Sequence, residues 1–298
     1  MPSRRIGILL LRAWRRQRLS VVGALIVGAL GLVALLGPSL APHDPSALGP
    51  DVLAGPSFSH FMGTDQFGRD VFSRWLGAAR PSLIVALSSV GGAAILGTFM
   101  GLLAGYKNGS LIDVVAMRTV DAIISVPLIV AVIAIAGTIG SRTLELGPLR
   151  VSPLVVLILV LTVTFIPAFA RIARAGALAE MQEDYVSAAK VLGADNRRLL
   201  FEHLLPNVLP PLLIQGSFSI ALAIGVEATV SFLGFGIQPP DASWGNLLTG
   251  SRDYILAGKW WLLAFPAAVI VLAVFAFNLL GDGLRDWLDP RQRARQLL

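Results

Sequence analysis

The apolar residues of this 298-residue chain fall into six long runs separated by polar stretches. Each run has about 18 residues or more, which is the length an α-helix needs to cross the hydrocarbon core of a bilayer. The runs are Leu19–Ala41, Leu83–Tyr106, Ala122–Ile139, Pro153–Ala170, Asn207–Leu233 and Trp260–Leu280. The pattern therefore predicts an all-α integral membrane protein with six transmembrane helices.

The longest polar interruption in the second half of the chain, Met181–Pro210, is patterned as a helix, a turn and a second helix. Apolar or small side chains recur at helical spacing in its first half, at Tyr185, Ala188, Ala189 and Leu192. Gly193 follows where a helix C-cap is expected, and Arg197–Leu205 reads as a second short helix. A soluble helix-turn-helix between two membrane spans predicts a docking surface.

Residues 42–82, between the first two runs, are rich in Pro and Gly and then helical in pattern. Thr64 or Asp65 is the expected N-cap of a helix that starts near Gln66 and lies at the membrane surface. We therefore divide the chain at residue 82. Residues 1–82 hold a basic tail, the first span and this interfacial segment, and residues 83–298 hold a five-helix core with a polar loop at 171–206.

Composition and charge support this class. Hydrophobic residues make up 55% of the chain and charged residues 14%, whereas a soluble protein has about a quarter charged residues. The formal charge of +6 fits basic cytoplasmic loops better than nucleic-acid binding. With the N-terminus inside, 17 of the 24 Lys and Arg residues lie in cytoplasmic segments, which predicts that both termini are cytoplasmic. The first run then reads as an uncleaved signal anchor.

Motifs for chemistry on this chain are missing from the sequence. It has no cysteine, no phosphate-binding G-x-x-x-x-G-K-[ST] loop and neither HExxH nor GxSxG. The three histidines, His43, His60 and His203, are too far apart in sequence to predict a local metal site. Six spans without a catalytic constellation indicate a conduit rather than an enzyme.

Residues 187–206 resemble the cytoplasmic coupling motif of permease subunits of ABC-type importers. That motif reads Glu-Ala-Ala, three residues, Gly, nine residues, then Ile-x-Leu-Pro. At this spacing the chain has Ala188, Ala189, Gly193, Leu205 and Pro206, whereas Ser187 replaces the Glu and His203 replaces the Ile.

Three further stretches resemble the second, C-type permease subunit of dipeptide and oligopeptide importers. They are HFMGTDQFGRDVFSRWLGAARPSL at 60–83, SFLGFGIQPPDASWGNLL at 231–248 and FNLLGDGLRDWLDPR at 277–291. The resemblance runs from about residue 15 to 291. The same branch includes nickel, glutathione and opine-type importers, so these solutes are alternative cargoes.

The resemblance implies an ABC type I importer fold and half of a translocation pathway in a bacterial or archaeal plasma membrane. It implies four kinds of partner: a homologous permease subunit, two ATPase subunits that carry the ATP and Mg, an extracytoplasmic substrate-binding protein, and the bilayer. Contact with the ATPase then falls to residues of the polar loop: Asp184, Tyr185, Ser187, Ala188, Ala189, Gly193, Leu205 and Pro206. This chain itself would bind no cofactor.

Two questions stay open at this point. Glu227 lies inside the fifth span, where an ionised side chain is costly and usually faces a bundle interior or a wet path. It is either a translocation-pathway residue that contacts a peptide amino group or a structural carboxylate bonded to a neighbouring helix or outer loop. The segment at residues 60–80 either meets the binding protein or caps the bundle. The rival functions are a secondary transporter, which needs no ATPase, and a membrane-embedded enzyme.

Overall fold

The computed structural model describes residues 3–139, 144–146, 149–238 and 241–288, and these residues are almost entirely helical. Two short strands, Leu144–Leu146 (β1) and Leu149–Val151 (β2), pair antiparallel. A π-helical turn covers Leu199–Leu204 and a 3-10 turn covers Asn246–Leu248. The elements are α1 (Ser3–Leu40), α2 (Val71–Tyr106), α3 (Leu111–Ile124), α4 (Leu128–Ile139), β1 (Leu144–Leu146), β2 (Leu149–Val151), α5 (Pro153–Glu180), α6 (Asp184–Val191), α7 (Asn196–Arg198), α8 (Leu205–Phe232), α9 (Ser251–Leu256) and α10 (Trp261–Leu288).

Among the described residues, five helical stretches are long and apolar enough to cross a membrane by themselves, and α3 with α4 gives a sixth if the bent pair counts as one span. The prediction of one straight third span at Ala122–Ile139 was wrong, because two helices occupy this region. The chain bends by 81° between α3 and α4, at the Pro127 that the span was expected to contain. Proline lacks an amide hydrogen and disfavours helical geometry in the residue before it, so the first helix stops at Ile124.

The helix α3 begins inside the stretch that was predicted to be a polar connection, residues 107–121. Ser110 caps it, because its Oγ accepts from the Asp113 amide at 3.4 Å while Oδ2 of Asp113 accepts from the Gly109 amide at 3.1 Å. The Asp113 carboxylate also receives two bonds from Arg174 of α5, at 2.6 and 2.9 Å. These bonds join the start of α3 to α5.

The expected interfacial helix and the second span are one helix, α2, which starts at Val71. Its N-cap is Asp70, whose Oδ2 accepts from the Ser73 amide at 2.8 Å, so the prediction of Thr64 or Asp65 as the cap was wrong. With 36 residues, α2 is about 54 Å long, well beyond the roughly 30 Å of a bilayer core. It passes residues 82–83 without a break, and the division into two domains there stays a prediction.

The bundle core is built on the contact between α2 and α5, the most extensive helix pair among the described residues. Gly97, Gly101 and Gly105 repeat every fourth residue along α2. A Cβ added to them would lie 2.7–2.8 Å from the Cβ atoms of Phe169, Ala173 and Ala177 on α5, so only glycine permits this approach. Around this pair, α1 packs on α2 and α10, and α8 packs on α2, α5 and α10.

The predicted topology distinguishes an extracytoplasmic, outer end of the bundle from a cytoplasmic, inner end. The outer end comprises residues 41–70 and 233–260, and the inner end comprises residues 181–206. The last helix, α10, runs to Leu288, so the charged tail predicted from residue 281 is helical in its first part. Residues 289–298, and residues 140–143 and 147–148 of the predicted loop at 140–152, lie outside the described residues.

Candidate functional site

The helix predicted at the start of the inner end is α6, and it ends as the sequence indicated. Gly193 has φ +84°, a left-handed conformation that glycine adopts without a steric penalty. The amide of Ala194 bonds to the carbonyl of Ala189 and that of Gly193 to the carbonyl of Lys190, both at 3.0 Å. This pair of bonds is a Schellman motif, which terminates α6 and turns the chain back towards the bundle.

The second helix of the inner end is continuous with the fifth span, where the sequence predicted a short separate helix at residues 197–205. One helical stretch runs from Asn196 to Phe232. The π-turn Leu199–Leu204 lies directly before Pro206, whose ring would clash with the carbonyl of Glu202 in a regular α-helix. A wider turn accommodates the proline without interrupting the helix.

The inner end is attached to the bundle by a few buried apolar side chains and by Tyr185. Val186, Leu199 and Leu204 are buried. The Tyr185 hydroxyl interacts with the Glu180 carboxylate and accepts from Asn207 Nδ2 at 2.9 Å. Partial burial, followed by the bond to Glu180, raises the pKa of Tyr185 to about 12. The neutral hydroxyl therefore connects the end of α5, the start of α6 and the start of α8.

The tip of α6 exposes large apolar side chains to solvent. Val191 is 88% exposed and Leu192 is 87% exposed, and Phe201 on the facing arm is half exposed. Charged side chains surround Phe201, including an ion pair of 2.8 Å between Arg198 and Glu202. An exposed apolar tip with a polar rim is typical of a surface that a partner protein covers.

The residues predicted to contact an ATPase lie along α6, at the turn after it and at the start of α8, in different states of exposure. Asp184, Tyr185, Ser187, Ala188, Gly193 and Pro206 are exposed, whereas Ala189 and Leu205 are half-buried. The predicted contact residues omitted three exposed apolar residues, Val191, Leu192 and Phe201. The available signal was that Val191 and Leu192 directly precede the turn at Gly193 in an otherwise polar loop.

Glu227 lies at the opposite end of α8 and has no exposed surface. Its Oε1 accepts from Ser231 Oγ at 2.7 Å, and Ser82 on α2 and Ser243 in the outer end lie near the carboxylate, whose buried Oε2 has no hydrogen-bond partner among the described residues. The buried Trp244 beside them donates its amide to Ser82 Oγ at 3.1 Å. The carboxylate thus sits in a contact between α8, α2 and the outer end, out of reach of solvent.

Residues 60–74 form a network of charged side chains at the outer end. Asp65 accepts from Arg69 Nε at 2.7 Å and lies 3.7 Å from Arg74 Nε. Asp70 Oδ1 lies 2.9 Å from Nδ1 of His60, and Asp70 Oδ2 lies 3.8 Å from Nδ1 of His43. The sequence separation of the histidines gave no sign of this contact: the ring centroids of His43 and His60 are 4.9 Å apart.

Comparison with known proteins identifies the family. Residues 97–294 match the family described as the binding-protein-dependent transport system inner membrane component. The chain belongs to this family of ABC transporter permeases. Residues 8–56 of the permease match a second family, the N-terminal TM domain of oligopeptide transport permease C. The resemblance inferred from the coupling motif is confirmed, and the chain is a multi-pass transport subunit rather than an enzyme.

Individual relatives agree with this assignment. The permease is 39% identical to the probable D,D-dipeptide transport system permease protein DdpC of Escherichia coli, over 93% of this chain and 89% of that protein. It is 38% identical to the dipeptide transport system permease protein DppC of Alkalihalophilus pseudofirmus, over 94% and 88%. A crystal structure of an amino acid ABC transporter shares the fold, with a TM-score of 0.52, 17% identity, and coverage of 72% of this chain and 94% of that chain.

Proposed function

We propose that this permease forms half of the translocation pathway of an ATP-driven importer of dipeptides and oligopeptides in a bacterial inner membrane. The names of the relatives support the cargo, since those described above are dipeptide transport permeases at close to 40% identity over almost the whole chain. The other half of the pathway is a homologous permease subunit. An extracytoplasmic binding protein delivers the peptide, and two ATPase subunits hold the ATP and Mg.

The observation that carries the coupling role is the exposed apolar tip at Val191 and Leu192. About 25 cal/mol is gained for each Å² of apolar surface removed from water, so a groove that covers both side chains binds the tip. Ala188 and Ala189 keep the preceding turn of α6 narrow, and the charged rim sets the register of docking more than its affinity. Leu205 and Pro206 start the helix that carries the movement onward.

Movement of the tip reaches the membrane through continuous helix. The turn at Gly193 joins α6 to the stretch Asn196–Phe232, which enters the bundle against α2, α5 and α10. The Tyr185 hydroxyl fixes α6 to the ends of α5 and α8, so α6 moves together with two spans. Closure of the ATPase subunits on ATP would therefore tilt the bundle and alternate the access to the pathway.

The test is co-purification from native membranes in mild detergent, with partners identified by mass spectrometry and ATPase activity assayed. We expect Leu192→Asp to abolish recovery of the ATPase subunit while the second permease chain is retained. Leu256→Asp is the matched control, since Leu256 is 84% exposed at the outer end. Equal ATPase recovery with Leu192→Asp and wild type would refute the coupling surface.

The cargo is tested separately in proteoliposomes that contain the full complex. A dipeptide should be taken up with ATP hydrolysis and should compete with a labelled peptide when the cognate binding protein is present. Uptake of Ni²⁺ or glutathione with no peptide transport would agree with an ATP-driven importer but would refute the proposal that its cargo is a peptide. Peptide uptake without any ATPase would overturn the importer mechanism itself.

A further inference from the structure

The cluster of His43, His60 and Asp70 at the outer end has no role in coupling or in the pathway proposed above. We propose that these three side chains bind a divalent first-row transition ion of the Zn²⁺ type. One ligand atom from each side chain can be chosen so that all three lie within 4.8 Å of one another. They come from three parts of the outer end: the connection after α1, the turn before Gly63, and the N-cap of α2.

The chemistry of the donor set selects the class of ion. Two imidazole nitrogens and one carboxylate oxygen suit Zn²⁺, Cu²⁺ and Ni²⁺, whereas Mg²⁺ and Ca²⁺ prefer oxygen ligands alone. The carboxylate of Asp70 supplies a negative charge, and its ion pairs among the described residues are to these two histidines. The nearby Arg69 is bound to Asp65 instead, at 2.7 Å.

The backbone around the cluster is held by hydrogen bonds that do not involve the ligand atoms. The amide of His43 donates to Ser73 Oγ at 3.1 Å, and the amide of His60 donates to Ser57 Oγ at 3.1 Å. The carbonyl of His60 accepts from the amides of Ser57 and Gly63, at 2.8 and 2.9 Å. Such supporting contacts fix ligand positions before the ion binds.

The two oxygens of Asp70 have separate roles. Oδ2 accepts from the amide and hydroxyl of Ser73, at 2.8 and 2.7 Å, and so caps α2. Oδ1 interacts with Nδ1 of His60 at 2.9 Å. An ion can replace the proton between Oδ1 and Nδ1, with His60 in the tautomer that is protonated at Nε2, and the helix cap is preserved.

The geometry requires a small closure of the cluster. Two ligands that each lie about 2.0–2.1 Å from one zinc ion are about 3.4 Å apart at a tetrahedral angle. His43 can supply the movement, because its side chain is 43% exposed and its ring lies 3.8 Å from Asp70 Oδ2. Three protein ligands leave a fourth position of the tetrahedron for water or for a ligand from a partner protein. The ion would fasten residues 41–60 to the start of α2.

The test is metal binding by the full-length permease in nanodiscs, with no histidine tag. Zn²⁺ is titrated by calorimetry, and Co²⁺ serves as a spectroscopic probe of tetrahedral coordination. We expect one ion per chain, and about tenfold or more weaker binding with His43→Gln and with His60→Gln. His203→Gln is the matched control and should bind as wild type, because His203 lies in the inner end.

His43→Gln is the decisive variant, since His43 is anchored by its backbone amide and the exposed ring can change without loss of the fold. Wild-type affinity in this variant, or a wild-type chain that binds no ion, would overturn the proposal. Metal binding is measured here without ATPase or transport. The result is therefore independent of whether the coupling or the peptide cargo proposed above is correct.

Discussion

The outer and inner ends of this permease differ in whether they bury polar side chains. At the outer end, polar and aromatic groups such as Asp70 and Trp244 are buried and bonded to other residues of the same chain. At the inner end, Val191 and Leu192 stand in solvent and the polar contacts are few and exposed. Apolar side chains such as Leu256 are exposed at the outer end as well, so the two ends differ in their buried polar groups; we propose that a partner protein covers the inner end.

The largest effect on stability is therefore expected at the outer end, from Trp244→Ala. Trp244 has no exposed surface, and its removal takes away a buried indole ring together with the bond from its Nε1 to the carbonyl of Trp75 on α2, at 3.4 Å. Replacing a buried aromatic residue by alanine costs about 3–5 kcal/mol. Thermal unfolding in detergent should show a marked fall in the midpoint temperature. Aggregation serves as the readout, because it does not depend on tryptophan fluorescence.

Trp260→Ala supplies the comparison for that measurement. Trp260 is half exposed and contacts Trp261 and Phe265 at the edge of the same end. Its loss should change the midpoint much less than the loss of Trp244. If the two variants unfold at the same temperature, the outer end is not held together by its buried residues as described.

A smaller effect is expected at Glu227. Glu227→Gln keeps an acceptor for the Ser231 hydroxyl and should lower stability slightly, whereas Glu227→Leu leaves hydroxyl groups unpaired at a cost of about 1–3 kcal/mol. We expect peptide uptake to follow the amount of folded protein in both variants. Protein level is measured by quantitative immunoblot beside the uptake assay. Normal protein with lost uptake would instead assign Glu227 to the translocation pathway.

The smallest effect is expected at the inner end, from Tyr185→Phe. The substitution removes the hydrogen bonds from α6 to Glu180 and Asn207. Because these bonds are exposed to solvent, we expect a loss of folding stability below about 1 kcal/mol. In wild type, Tyr185 has its pKa raised to about 12, above the ordinary value near 10. The stability from its neutral form is therefore intact below pH 10 and is lost as the pH rises towards 12.

Ultraviolet absorbance of tyrosinate reports this titration directly. The chain has three tyrosines, and the difference spectrum between wild type and Tyr185→Phe isolates one of them. Its midpoint should fall about two pH units above that of a free tyrosine. A midpoint near 10 would mean that the Glu180 contact does not persist in solution.

Much of this fold was readable from hydropathy, because a bilayer imposes the length and the composition of each span. The termination of α6 at Gly193 was also readable, since a positive φ favours glycine wherever it occurs. The bend at Pro127 was missed because the surrounding residues are apolar on both sides, and only the Ser110 and Asp113 pair marks the earlier start of the helix. The N-cap Asp70 was missed because Asp65, five residues earlier, offers the same side chain.

The site was predictable in its position but not in all of its residues. The spacing of Ala188, Ala189 and Gly193 predicted the position of the proposed coupling loop, yet spacing says nothing about which apolar side chains remain uncovered after folding. The histidine cluster was not predictable, since 16 and 9 residues of irregular chain separate its members and only tertiary packing brings them together. Residues that are far apart in sequence form no local motif, but they can still come into contact when loops pack together.

The helical stretch Asn196–Phe232 has 37 residues and is about 55 Å long, so roughly 25 Å of it extends beyond the hydrocarbon core. Because the stretch is continuous, its length fixes the direction in which its cytoplasmic end points relative to the span. Each residue of an α-helix advances the axis by 1.5 Å and turns it by about 100°. Deleting one residue within the π-turn at Leu199–Leu204 would therefore rotate Asn196–Arg198 by about 100° relative to the span, while Tyr185 still holds α6 at the end of α5, so the mismatch would fall on the turn at Gly193.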